Sequence, residues 1–508
     1  MRDARNCLDS RPAREINARV ISTQPPSNAD TDESCNAETV AGRLEGVRNW
    51  LRGLFQSEEV DRDPRLKIIC GCLLLYCHMT FYFWWQSPEA LSTLGNETFN
   101  YAPAGLIQNF RWLAFMDYFQ TRTYLYVQGM LALLGLFSLF YLRSSLLALC
   151  LLAWLAVNKV FFYLCDFRLF ANYHHFHLLY TLVFLISSDK LRFFRCALGL
   201  SYIMSALVKL SPSWLFGEYF NSLPDKLPLL PKVNWLVTAA CVGVIVLEFI
   251  GPLCWLTSIR WLRRLSFGAF VLFHIYSGVI VGFWYTTLML PLVVAAFLGF
   301  DEPLLKGCRI RGRNIVTVGV FGVALMGGVY HFFIPGDARL TSEGRYFGLF
   351  MFDATRSVRF EADIQKGNKY WTVQVYRRWQ MDDDSGENAS AIHCDFYQDG
   401  RLANSFAVRQ PIRDGDEIIF NPAMFASARM RIYGDPYLYY YYARELVRRY
   451  QPDRVAIRLD QRLDGHKETV RLIDIPDFGQ LNPAYNPFSR NEWIQLPGDE
   501  SPPAYRWP

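Results

Sequence analysis

The chain has 508 residues, of which 52% are hydrophobic, 16% aromatic and only 19% charged, with a formal net charge of +5. Soluble domains average about 25% charged residues, and the deficit falls in one stretch, from about Leu66 to Phe333, which excludes an ordinary soluble protein. The excess of positive charge lies mostly in short connections between apolar runs, so it speaks for topology before it speaks for nucleic acid.

Residues 1–43 are rich in Ser, Asn, Asp and Glu and are expected to be disordered. Nothing in the first part of the chain has the basic, apolar, small-residue layout of a cleaved leader. Val47–Phe55 then reads as a short amphipathic helix lying on a membrane. From there the sequence predicts a helical transmembrane domain over 44–334. The first span, Leu66 to Trp85, has the roughly 20 residues a bilayer requires. A polar, aromatic connection follows, with the sequon Asn96-Glu-Thr98. Further spans are expected at about Tyr124–Leu142, Leu146–Leu164, His174–Ile186, Cys196–Leu210 and Trp235–Leu256. The apolar stretch Phe267–Phe300 is too long for one helix and is split near Trp284. The last span covers about Ile315–Phe333, for a total of about nine.

Basic residues concentrate after the even-numbered spans (Arg143; Lys190, Arg192 and Arg195; Arg260, Arg263 and Arg264; Lys306, Arg309, Arg311 and Arg313). The positive-inside rule therefore puts the N-terminus in the cytoplasm and everything beyond the ninth span on the outer side. Residues 335–476 carry short alternating segments such as Tyr370–Tyr376 and Val455–Leu459, separated by turn signals such as Asp399-Gly400. They read as a β-rich, sandwich-like soluble domain. One helix interrupts it, opened by Asp435 as cap and Pro436 at the first helical position. Residues 477–508 read as an irregular tail. The architecture predicted is thus a mainly α polytopic membrane bundle followed by a soluble β-rich C-terminal domain.

Most cysteines sit inside apolar runs and read as small packing residues, not as a disulfide framework. No Walker A, GxSxG or HExxH motif is present. No internal repeat of the kind many transporters carry is found. The chemistry-bearing candidates are polar residues in the apolar runs. Lys209 ends one run and precedes Pro212, Trp214 and Gly217. An ionisable residue at membrane depth points to a site, although a lysine at a helix end also snorkels. Asn172, His174, His175 and His177 lie near the same outer end. These histidines suit either a site or an aromatic belt. His174 and His177, at i and i+3, share a helix face, but no outer carboxylate completes a metal site and none is expected. Glu248 and His274 lie within later spans, where each reads as a cavity residue or an interhelical hydrogen bond. Together they suggest a proton-handling or anion-binding cavity open outward.

These residues resemble the vitamin K-dependent γ-glutamyl carboxylases and the wider group sharing their horizontally transferred transmembrane (HTTM) domain. Asn172-Tyr-His174 is similar to that family's Asn-Asn-His. Tyr202 to Leu210 and Ser213-Trp-Leu-Phe-Gly217 are similar to its Tyr…Gly-x-x-Lys-Leu…Asp-Trp-x-x-Gly. Glu248 before Gly251-Pro252, Phe273-His274, Gly344–Phe352 and Asp435–Leu446 also have counterparts there, so the resemblance covers about Leu44 to Leu446. Three positions depart from the pattern: Tyr173 for an asparagine, Ala206 for a glycine and Leu349 for a tryptophan. The outer connection between the first two spans also lacks a cysteine.

The resemblance implies a lyase or ligase that carboxylates glutamate side chains of a protein or peptide, using reduced vitamin K or a related quinol, oxygen and CO2. Lys209 would then be the catalytic base, with His174 and Asn172 orienting quinol or carboxylation chemistry. His274, Glu248 and Trp214 would line the quinol site. The other expectation is a non-carboxylating HTTM protein that binds a lipid or quinone and displays its soluble domain to a partner.

Overall fold

The computed structural model describes residues 32–86, 118–165 and 172–344 with short breaks, then 356–377, 392–405, 412–420, 435–463 and 469–496 with a break at 487–488. The connection carrying Asn96, a further sequon, Asn388-Ala-Ser390, and most of the Gly344–Phe352 motif lie outside the described residues. Residues 1–51 form one compact unit and 52–508 another.

Helix α1 spans Asp32–Phe55, so it begins inside the segment expected to be disordered to residue 43. Leu44, Val47 and Trp50 on it are exposed. A short helix, α2 (Ser57–Arg62), leads to α3 (Pro64–Gln86), with Pro64 at the first helical position, where a missing N–H costs nothing. The helices that follow are α4 (Tyr118–Phe140), α5 (Ser145–Cys165), α6 (Asn172–Ile186), α7 (Lys190–Val208), the single turn α8 (Pro212–Leu215), α9 (Asn234–Cys254), α10 (Arg260–Val281), α11 (Phe283–Phe297) and α12 (Arg313–Val329). Each of the nine expected apolar runs is thus a helix, and the long run breaks between Val281 and Phe283, next to the expected Trp284. Among the described residues five helices are long and apolar enough to cross a membrane: Pro64–Gln86, Arg122–Phe140, Lys190–Val208, Asn234–Cys254 and Arg313–Phe333. Ser145–Val160 and Tyr285–Phe297 are shorter apolar helices.

The bundle buries one large apolar core and a smaller cluster around Trp214, Phe220 and Val237, while large side chains such as Leu272, Trp235 and Val323 point outward, the last 76% exposed. An apolar exterior of this kind is tolerable only against a partner or a lipid phase. Close helix approach depends on small residues: a Cβ at Gly135 of α4 would stand 2.8 Å from Leu74 of α3. Polar contacts fix the ends. Lys190, fully buried, donates to the carbonyls of Phe184, Leu185 and Ser187, which a helix C-terminus otherwise leaves unpaired.

Beyond the one-turn helix α13 (Ala338–Thr341), a second core forms on one antiparallel sheet. Its strands are β1 (Arg356–Lys366), β2 (Lys369–Arg377), β3 (Ile392–Gln398), β4 (Arg401–Ser405), β7 (Arg454–Leu463) and β8 (Val470–Ile475), in the order β4-β3-β2-β1-β7-β8. A small ribbon, β5 (Ile412–Asp414) with β6 (Glu417–Phe420), is not paired with its strands but shares its core through Ile419 and Phe420. The period-2 pattern puts Val358, Phe360, Ala362 and Ile364 of β1 on the buried face. Phe360 lies opposite Val375 on one side and Leu459 on the other.

The sandwich expectation is corrected here. Among the described residues, what covers the sheet is a helix, α14 (Pro436–Tyr450), with only the short β5–β6 ribbon as a second sheet. Its tyrosines at 437, 439, 440, 441, 442 and 450 are buried, and Tyr439 stacks on Phe360 at 4.3 Å. So many aromatic rings on one helix supply the apolar area another sheet would have brought. Asp435 caps this helix by accepting a hydrogen bond from the Tyr437 N–H at 3.1 Å, as its sequence signature predicts. The described part of the tail has one helical turn, Phe478–Leu481, and is otherwise without regular structure, yet its side chains anchor it. The side chains of Arg490 and Asn491 hold the buried Glu343 at 3.1 and 3.0 Å, and Trp493 stacks on Tyr440.

Candidate functional site

Lys209 is the residue that ends α7, and its side chain is 1% exposed. Side chains on a helix lean toward its N-terminus, so the ammonium turns back into the bundle instead of out to the interface. There it meets Glu248 of α9, itself fully buried, and donates to both carboxylate oxygens, Oε1 at 2.6 Å and Oε2 still closer. The indole of Trp214 covers Nζ at 5.4 Å from the ring centroid, and its Nε1–H donates to the Cys241 carbonyl at 3.2 Å. The one-turn helix Pro212–Leu215 that follows Lys209 is what places this ring. A snorkelling lysine would show none of these features.

The local sequence around Glu248 explains its placement. Pro252 sits inside α9, and a proline removes the N–H that would bond the carbonyl four residues back, which is that of Glu248. Gly251 lets α10 approach: a Cβ there would stand 2.6 Å from Phe270, and Ser266 donates to the Gly251 carbonyl at 2.9 Å. The Glu-x-x-Gly-Pro sequence therefore combines a carboxylate, a locally freed carbonyl and a close helix crossing.

His274 of α10 belongs to the same neighbourhood. Its Nε2 shares a 2.5 Å hydrogen bond with the Tyr202 hydroxyl, and Tyr202 stacks on Phe270 at 4.0 Å. The His274 and Tyr285 rings are 5.7 Å apart. Lys209, Glu248 and Trp214 are thus brought together, and His274 joins Tyr202, on the same helix as Lys209, and Tyr285, the two tyrosines not having been among the expected site residues. For Tyr202 the available signal was its spacing of two helical turns from Lys209 on one helix face.

His174 is buried too, but within a different group of rings. Tyr173 lies 4.3 Å from it, Trp84 of α3 5.5 Å and Tyr76 of α3 6.3 Å. Asn172 opens α6 and is half-buried. Between this group and Lys209 lies an aromatic series in which Phe176 of α6 contacts both Tyr180 and Tyr285. His175 faces elsewhere, into an apolar groove of about 1070 Å³ between α6, α7 and α12, lined by Leu179, Met204, Gly319, Val323 and Tyr330 among others.

The buried amine of Lys159 was missed altogether. Lys159 lies in the apolar helix α5 and is fully buried against His177 of α6 and Thr80 of α3. The polar pair Asn158-Lys159 inside an apolar run was the signal. Among the described residues no group of three or more His, Cys, Asp or Glu side chains converges as a metal site would require, and Cys70, Cys72, Cys77, Cys150, Cys196, Cys241 and Cys254 are free thiols. No family model, curated protein or solved structure matches this chain.

Proposed function

We propose that this chain is a multi-pass membrane enzyme of the carboxylase type, with Lys209 and Glu248 at its reactive centre. The observation that carries the reading is a lysine–glutamate pair buried among tyrosine, tryptophan and histidine inside a bundle of apolar helices. Such a pair combines an amine with an internal store for its proton. Transfer of one proton from Nζ to Glu248 leaves a neutral amine beside a neutral acid, so a base forms without net charge in an apolar interior. His274 and Tyr202 offer a hydrogen-bonded couple for an oxygen of the substrate. Trp214 and Tyr285 present flat apolar faces suited to a ring.

A reduced quinone fits such surroundings, and with oxygen it would supply the strong base that removes a γ-proton from glutamate before CO2 adds. In this reading the neutral Lys209 amine takes the quinol proton and becomes an ammonium beside the anion it creates, Glu248 keeps the proton it took from Lys209, and Asn172 and His174 orient the substrate from their own aromatic group. Nine helices cross the bilayer, the arginine-rich ends (Arg195, Arg263, Arg313) face the cytoplasm, and the sheet domain lies on the outer side, where it meets a glutamate-bearing protein or peptide.

The other reading is a non-carboxylating HTTM protein that holds a lipid or quinone in the groove between α6, α7 and α12 and displays the sheet domain to a partner. It draws on the departures at Tyr173, Ala206 and Leu349, and on the open apolar lining of that groove. Purified protein supplied with reduced vitamin K, oxygen, labelled bicarbonate and a glutamate-bearing peptide separates the two. Label in the peptide, abolished by Lys209→Ala, is the expected result. No label from folded protein would leave the display reading.

A further inference from the structure

The bundle buries three lysines, and two of them are accounted for. Lys190 caps the carbonyl end of α6, and Lys209 is held by Glu248. Lys159 is different. Its Nζ lies 3.2 Å from His177 Nδ1, 3.5 Å from Thr80 Oγ1 and 4.9 Å from the centroid of the Tyr76 ring. No carboxylate is within ion-pair distance of it among the described residues, although burial of an amine without a counter-charge is costly unless the amine has a use.

The neighbours fix the direction of every hydrogen bond. His177 Nε2 is 3.0 Å from the Leu73 carbonyl, which can only accept, so the ring proton sits on Nε2 and Nδ1 presents a lone pair to Lys159. Thr80 spends its own proton on the Tyr76 carbonyl at 2.8 Å, so its oxygen is also an acceptor toward Nζ. Lys159 therefore donates to both, and either form has the N–H bonds to do so: three in the ammonium, where the bonds are stronger, and two in the amine. One N–H···N geometry serves both proton counts without rearrangement. The titratable groups facing Nζ are Tyr76 and Cys77 from α3 and His177 from α6, with Cys77 Sγ 3.7 Å from His177 Nε2.

We propose that Lys159 and His177 form a second proton-exchanging site in the bundle, an amine–imidazole pair that gains and loses one proton as a unit, distinct from the carboxylate-held Lys209. Tyr76, stacked on His177 at 5.0 Å and edge-on to His174, places this pair behind the aromatic group that holds His174. Coupled groups of this kind titrate together.

The test needs neither quinone nor CO2, so it stands or falls apart from the carboxylase reading. The full-length chain, with 15N-labelled lysine and histidine in lipid nanodiscs, is titrated by NMR from about pH 5 to 9, the range that reports imidazole and perturbed amines. The Lys159 Nζ and His177 Nδ1 resonances are expected to move together in one step. Lys159→Gln, which keeps an N–H donor but cannot exchange its proton, should abolish the step at His177 and leave the Lys209 resonance where it was. Static resonances, two separate steps, or a His177 step that survives in Lys159→Gln would overturn the proposal. Should that variant fail to fold, the wild-type titration alone decides.

Discussion

Charge is handled in opposite ways in the two halves of this molecule. In the helical bundle, Lys209 and Glu248 are fully buried and bonded directly to each other under the Trp214 ring. On the outer face of the sheet, Arg458 is shared among Glu361 at 2.7 Å, Asp363 at 3.5 Å and Asp474 at 3.9 Å, all within reach of solvent. Water makes the second arrangement interchangeable, because an exposed pair gives up little when broken. Burial makes the first exclusive, because removing one member strands the other where nothing replaces it. The same contrast applies to backbone polarity. The sheet satisfies its groups in a regular ladder, whereas α9 interrupts its own ladder with Pro252 beside Glu248.

Substitutions can sharpen or break this contrast. The largest effect outside the ion pair is expected from Tyr439→Ala, which removes a fully buried ring stacked on Phe360. A loss of about 3–5 kcal/mol, read from chemical unfolding of the sheet domain, is the expectation for an aromatic cavity. Gly251→Ala should cost about 1–3 kcal/mol in the bundle by pressing a methyl group into Phe270, visible as a lowered melting temperature. Asp435→Ala removes the helix cap and should cost about 1 kcal/mol, with Asp435→Asn or Ser restoring most of it. Arg458→Ala should change stability by less than about 1 kcal/mol, in keeping with its exposed network.

The smallest effect concerns pH. Asp414 is held below the ordinary carboxylate value of 3.8 by hydrogen bonds from Lys369 and Tyr450. Its contribution is therefore complete above that ordinary value and is lost as the pH falls through the lower folded value. Wild type should destabilise slightly more steeply than Asp414→Asn between about pH 4 and 2, and parallel curves would remove this carboxylate from the account.

Helix positions were legible because nine apolar runs are long and their ends carry proline, glycine and charge. Asp435-Pro436 marked its helix for the same local reason. The sandwich expectation failed because alternation in a strand shows that one face is buried but not what buries it, and the tyrosines of α14 do so here. Glu343, pinned by Arg490 and Asn491 from nearly 150 positions away, had no local signal at all. In the site, Lys209, Glu248 and His274 stood out as polar residues in apolar runs. Their pairing did not, since a sequence cannot say that Glu248 would meet Lys209 and leave Lys159 with an imidazole.

The central claim is that Lys209 and Glu248 act as one buried unit at the heart of the bundle. A double-mutant cycle tests it most directly, using Lys209→Met, Glu248→Leu and the pair together, read by unfolding in detergent and by label uptake from bicarbonate. Each single change should cost about 3–5 kcal/mol, the double change should recover most of that, and label uptake should vanish in all three. Additive losses in stability, or label uptake that persists without Lys209, would contradict it.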